Sequence, residues 1–251
     1  MNLRFEPTPS KYGNRMIPAS KQLAIFFVGW IGFQIFAAIL QIILGLFATG
    51  QGLNLEEFLS SLNTAMVVNS AAYLALLIAI VAITNFDILK VLKSFKHWQS
   101  YLAGVVCLLS IFAFDFLWGT ILESLPFKTS DNVNESSLQT LRNLYPIGSF
   151  VIFGIIGPIC EEFTYRVGLF SFFRRINKPV AYLVTIFVFA FIHFQFSLNP
   201  TVLLNEVLNL PYYLYAAFAF SFTYEKFGLA GSLSAHVINN CISLSLISLI
   251  N

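Results

Sequence analysis

Apolar residues run through this chain in blocks too long for the interior of an ordinary soluble domain. Seven such blocks lie at about 23–47, 64–84, 101–122, 144–173, 179–196, 201–224 and 229–249. Each is close to the ~20 residues a helix needs to cross the ~30 Å hydrocarbon layer of a bilayer. The pattern predicts an all-α fold: a polytopic membrane helical bundle of about seven transmembrane helices. The sixth block is the least regular, because Pro211 should kink it or start it, and a surface-lying entry segment before Pro211 fits equally well. The first block is too long for a signal-peptide core and no small-residue cleavage site follows it, so it is expected to remain as a span. Between the blocks lie a loop at 49–63 with Glu56 and Glu57, and a loop at 123–143 rich in Ser, Asn and acids. A link near 85–99 carries Lys90, Lys93, Lys96 and His97, spaced to line one side of an interfacial helix.

Composition sharpens the class. The chain is 57% hydrophobic and only 10% charged, whereas soluble domains carry about 25% charged residues. The expected organisation is a basic cytoplasmic tail at 1–21 followed by a single transmembrane helical domain at 22–251, without internal repeats. Lys and Arg concentrate in the tail, the 85–99 link, the 174–178 link and the 225–228 turn. Apart from Arg166 inside a span, only Lys128 and Arg142 fall elsewhere. That asymmetry predicts a cytoplasmic N-terminus. The net charge of +2 is spread over short loops and gives no reason to expect nucleic acid. Cys107, Cys160 and Cys241 all lie in apolar blocks without CxxC spacing and read as small hydrophobes.

The polar residues inside the blocks carry the chemistry, since an ionisable group at membrane depth is expensive and tends to be paired and functional. The fourth block holds Cys160-Glu161-Glu162-Phe163-Thr164-Tyr165-Arg166. Glu162 and Arg166 are four apart on a helix and can neutralise each other. Glu161 has no base at either helical neighbour position, which leaves it free for chemistry. Later blocks hold His193, His236, Asn239 and Asn240. Counted from the nearest basic boundary, Glu161, His193, His236 and Asn240 all lie roughly 15–22 Å deep. Each residue alone has a plainer role: an intramembrane His or Asn usually bonds a neighbouring helix, and a Glu–Arg pair is usually structural. Asp115, beside Trp118, reads as interfacial. The shared depth is what favours a site. A desolvated carboxylate can act as general base toward water, a His can orient that water, and a His with an Asn at i+4 can present donors to an oxyanion. Neither HExxH nor GxSxG occurs, and no metal or other cofactor is expected.

Glu161-Glu162-x-x-x-Arg166, Phe189-x-x-x-His193 and His236-x-x-x-Asn240 resemble, in order and spacing, the three motifs of the CAAX prenyl protease-like intramembrane endopeptidases. That family includes bacterial abortive-infection and bacteriocin-immunity proteins. The resemblance covers about 145–245; one departure is Tyr165, where Phe commonly precedes the Arg. It implies a glutamate protease in which Glu161 with His193 activates water and His236 with Asn240 stabilises the oxyanion. Glu162 and Arg166 would support the first motif. The implied partners are the lipid bilayer and a membrane protein or lipidated peptide as substrate. Length and composition point toward the bacterial, plasma-membrane members. Two other classes compete with the enzyme: a silent scaffold binding a membrane partner such as a sensor kinase, and a transporter, against which the lack of symmetric halves argues.

Overall fold

The structure is a computed structural model that describes residues 17–246; the tail before residue 17 and the last five residues lie outside them. Among the described residues every regular element is helical. In chain order they are α1 (Ala19–Gly50), α2 (Leu55–Ser60), α3 (Leu62–Thr84), α4 (Trp98–Glu123), α5 (Val133–Leu144), α6 (Pro146–Arg174), α7 (Lys178–Phe191), α8 (Pro200–Phe227) and α9 (Leu229–Leu246). Among the described residues four segments are long and apolar enough to cross a bilayer: α1, the stretch Leu62–Lys96 that begins with α3, α4 and α6.

Local chemistry sets where the helices begin. Asn54, Ser61, Asn132, Asn177 and Asn199 each accept a hydrogen bond from a backbone N–H one turn ahead, at the starts of α2, α3, α5, α7 and α8. Pro146, Pro179 and Pro200 occupy the first turns of α6, α7 and α8, where a missing N–H costs nothing.

Helix α6 is the axis of the bundle. In its most apolar stretch 56% of residues are buried, against 11% for α1. It packs on α1, α3, α7 and α9, and α9 in turn is wedged between α6, α4 and α8. Two parts of α6, Phe150–Ile156 and Glu162–Phe170, are wound as π-helix. Pro158 accounts for the first: it lacks an N–H and its ring crowds the carbonyl four residues back. The second contains Glu162 and Arg166, and all nine of its residues are buried.

Several expectations change. The 85–99 link is helical as far as Lys96, in short pieces rather than one helix: 3₁₀ at Asn85–Asp87 and Leu92–Lys96 around an α-helical turn at Ile88–Val91, with Lys90, Lys93 and Lys96 exposed. Asp87 ties it to the start of α1 through Lys21 (2.7 Å) and also bonds Lys90 (2.6 Å). The polar 123–143 stretch contains helix α5, which Asn132 caps, and the 49–63 loop contains the short α2. Pro211 neither starts nor interrupts α8; the segment before it belongs to the same helix, with Asn205, Glu206 and Asn209 bonded to residues 130–133. The fifth block stops being helical at Phe191 rather than near 196.

Ion pairs collect at one end of the bundle. Besides the Lys21–Asp87–Lys90 group, Glu225 bonds Arg174 (2.8 Å) and Lys178 (3.1 Å), and Arg175 reaches back to Gln22 and the Ile17 carbonyl. Helix α5 lies at the other end, where it packs over the first turn of α6.

Candidate active site

Helix α6 delivers two glutamates to very different surroundings. The Glu162 side chain is fully sealed, with 0% exposure, while Glu161 keeps 17%. Glu162 faces Arg166 (Oε1 to Nε 3.4 Å) and His236 on α9 (Oε1 to Nδ1 3.0 Å). The Arg166 guanidinium is itself fully buried between two aromatic faces, 4.4 Å from the centre of the Phe189 ring and 5.3 Å from that of Phe220. A cation so placed gains from the negative face of each ring, as well as from the carboxylate. Glu161 has lighter ties. Its Oε2 lies 3.6 Å from His236 Nε2, and the Tyr73 hydroxyl on α3 donates to its Oε1 at 3.4 Å.

His236 therefore bridges the two carboxylates, one per ring nitrogen, and stacks on Phe220 at 4.4 Å between centres.

His193 arrives by a different route. Helix α7 is only 14 residues long, about 21 Å, and so falls short of a full crossing. His193 sits in the turn just after it. Its Nδ1 lies 2.8 Å from the Phe189 carbonyl and its ring stacks on Tyr213 at 4.6 Å. A carbonyl can only accept, so Nδ1 carries the proton and Nε2 is the acceptor of the neutral ring. Most of the unwound 192–199 segment is exposed, Phe196 and Leu198 above all; His193 is half-buried, as a ring lining a cavity would be.

Such a cavity is present. A space of about 720 Å³ is lined by Glu161, His193, His236, Asn239 and Asn240, with Tyr73, Phe153 and Phe189. Every polar residue singled out on the later helices thus opens on one space, while Glu162 and Arg166 stand behind its wall. Asn240 donates to the Phe153 carbonyl at 3.2 Å, which fixes its amide and leaves its second N–H for the cavity. Asp115 is not confined to an interface: it lines the same cavity further out. At the rim, on α5, burial and then the charge of Asp131 push the Glu135 carboxyl above its usual range, while a bond from Gln139 pulls the other way. Among the described residues no three His, Cys, Asp or Glu side chains are grouped to hold a metal ion, and the three cysteines are free thiols.

Sequence reasoning missed Tyr73, Asn132, Glu206 and Tyr213. Tyr73 is one tyrosine in an apolar block and carries no local signal. Glu206 did carry one: it is a lone carboxylate in an apolar run, and it is 1% exposed.

A family profile described as type II CAAX prenyl endopeptidase Rce1-like matches residues 143–242. Neither curated proteins nor solved structures give a match. The matched segment runs from the end of α5 into α9, and holds all three motifs, the buried Glu162–Arg166 pair and the cavity-facing Glu161, His193, His236 and Asn240. Residues 143–242, where these side chains lie, thus match the Rce1-like domain model of the CAAX prenyl protease-like family, a family of proteases.

Proposed function

We propose that the protein is an intramembrane glutamate endopeptidase that hydrolyses a peptide bond of a membrane-associated protein or peptide with a water activated by Glu161. The observation that carries this is the division of labour between neighbouring carboxylates. Glu162 is sealed and committed to Arg166 and His236, whereas Glu161 faces the same cavity as His193.

In this reading a water in the cavity donates one hydrogen bond to Glu161 and one to Nε2 of His193. Glu161 takes the proton as the water oxygen bonds to the scissile carbonyl carbon. The negative charge that develops on the carbonyl oxygen meets donors from His236 and the free N–H of Asn240. When the C–N bond breaks, Glu161 returns the proton to the leaving amine; the second proton of the water stays on the new carboxylic acid, which gives it up to the amine, so that the products are a carboxylate and an ammonium. Glu162 and Arg166 hold His236 in place from behind. The reading extends to seven crossings, with α8, α9 and α7 taken together with the unwound stretch after it completing the span count, and to the basic end of the bundle facing the cytoplasm of a bacterium. A processing or bacteriocin-immunity role follows from the resemblance to the short bacterial members.

The test uses purified full-length protein in lipid nanodiscs with internally quenched peptides ending in a CAAX tail, with and without a farnesyl group on the cysteine. Affinity capture with the Glu161→Gln protein is run alongside to retain uncut substrate from membranes. Cleavage by the wild type, lost in Glu161→Gln, is the expected result. A wild-type protein that retains a membrane partner in capture yet leaves it and both peptides intact would establish the scaffold instead.

A further inference from the structure

Glu206 on α8 is a carboxylate inside the bundle whose two oxygens are both taken up by backbone amides. Oε1 accepts the N–H of Val133, the first residue of α5, at 2.8 Å; Oε2 accepts the N–H of Gln195, two residues past His193, at 2.9 Å. The amides belong to segments 62 positions apart, and both have left helical pairing: one at a helix start, one in the unwound stretch after α7. Unpaired amides shut away from water are costly, and one side chain satisfies both. Asn132, 3% exposed, adds a parallel strut. Its Oδ1 accepts from Glu135 N–H at 2.9 Å, while its amide nitrogen lies 3.5 Å from the His193 carbonyl and 3.2 Å from the hydroxyl of Tyr213. Tyr213 is the residue that stacks on the His193 ring.

We infer that Glu206 is a positioning residue for His193: it clamps the α5 roof and the His193-bearing segment into one unit, so that the ring stays fixed over the cavity. The inference rests on the proposed role of His193, but the clamp itself is testable without catalysis. A carboxylate offers two acceptors where a glutamine amide offers one and turns N–H groups toward the other amide. Glu206→Gln therefore breaks one strut at constant size. Glu206→Asp keeps both acceptors at shorter reach.

The chain has three histidines, so ¹⁵N-histidine spectra of the full-length protein can be assigned with His97→Gln and His193→Gln controls. In Glu206→Gln the His193 signals should lose their fixed Nδ1–H form and broaden, while those of His236 stay put. Hydrogen exchange should rise together in 131–135 and 192–199 and not in α9. Glu206→Asp should recover part of both. If the wild type cuts a peptide, kcat should fall about 10–100-fold with KM nearly unchanged, the usual penalty for a group displaced by about an ångström. Unchanged His193 signals and exchange in a Glu206→Gln protein that merely melts lower would overturn the inference. So would exchange that rises in one segment alone. A wild type that cuts nothing, yet shows the coupled change, would overturn the proposed function and leave the clamp standing.

Discussion

Glu161 and Glu162 are adjacent in sequence yet differ in what surrounds them, and substitution should separate them. Among the described residues the Glu161 carboxylate has Tyr73 and His236 as its polar partners, and it keeps a face on the cavity. Glu161→Gln should cut turnover by at least 10²–10⁴-fold, the usual worth of a general base, with the melting temperature nearly unchanged. Glu162→Gln strands a fully buried guanidinium, and breaking one side of a buried pair costs about 3–5 kcal/mol. It should lower melting in detergent, and adding Arg166→Gln should restore part of the loss. Activity and melting measured on all three variants decide the assignment; loss of activity confined to Glu162→Gln with unchanged melting would reverse it. At the same scale, His236 is spread between two carboxylates rather than turned with them toward a common point. Chelator-treated protein should therefore keep its activity and hold less than stoichiometric metal by mass spectrometry. Activity that vanishes with a stoichiometric metal would overturn the mechanism.

At the scale of elements, the site depends on how closely α9 approaches α4. A Cβ added at Gly231 would lie 2.8 Å from the Ser100 carbonyl and 2.9 Å from Thr223 Cγ2; one added at Gly104 would lie 2.8 Å from the Gly231 carbonyl. Small residues at both positions let the backbones meet, as they do where membrane helices associate without hydrophobic drive. Gly231→Leu should force the helices apart at about 1–3 kcal/mol and carry His236, five positions on, away from Glu161. A drop in melting with a larger drop in kcat is expected; full activity in that variant would show the interface to be slack. Gly228, Ala230, Gly231 and Ser232 cluster at the start of α9 in the sequence, a composition that lets membrane helices approach closely. Their partner on α4 carries no such signal, because nothing local in 101–122 marks Gly104 as the position that faces α9.

For the whole molecule, the contacts Lys21–Asp87, Arg174–Glu225 and Arg175–Gln22 gather the basic links at one end, with α5 at the other. If that basic end is cytoplasmic, a cysteine replacing Asp131 should react with an impermeant maleimide added to intact cells. Labelling only after permeabilisation would invert the molecule. The amino-acid sequence by itself determined the helical membrane class and singled out Glu161, His193, His236 and Asn240, which the fold gathers around one cavity. Both follow from local pattern: run length against bilayer thickness, and the rarity of charge in apolar blocks. It also determined the pairing of Glu162 with Arg166, since four residues along a helix is a local relation. Only the tertiary structure decided that α7 would stop at Phe191 and leave His193 on an unwound segment. It alone brought Tyr73 to Glu161 and Glu206 to the amides of Val133 and Gln195. Those contacts join residues 11 to 88 positions apart. Their strength comes from removing backbone and carboxylate groups from a solvent that cannot hydrogen-bond them, and no local pattern records which distant group will do so.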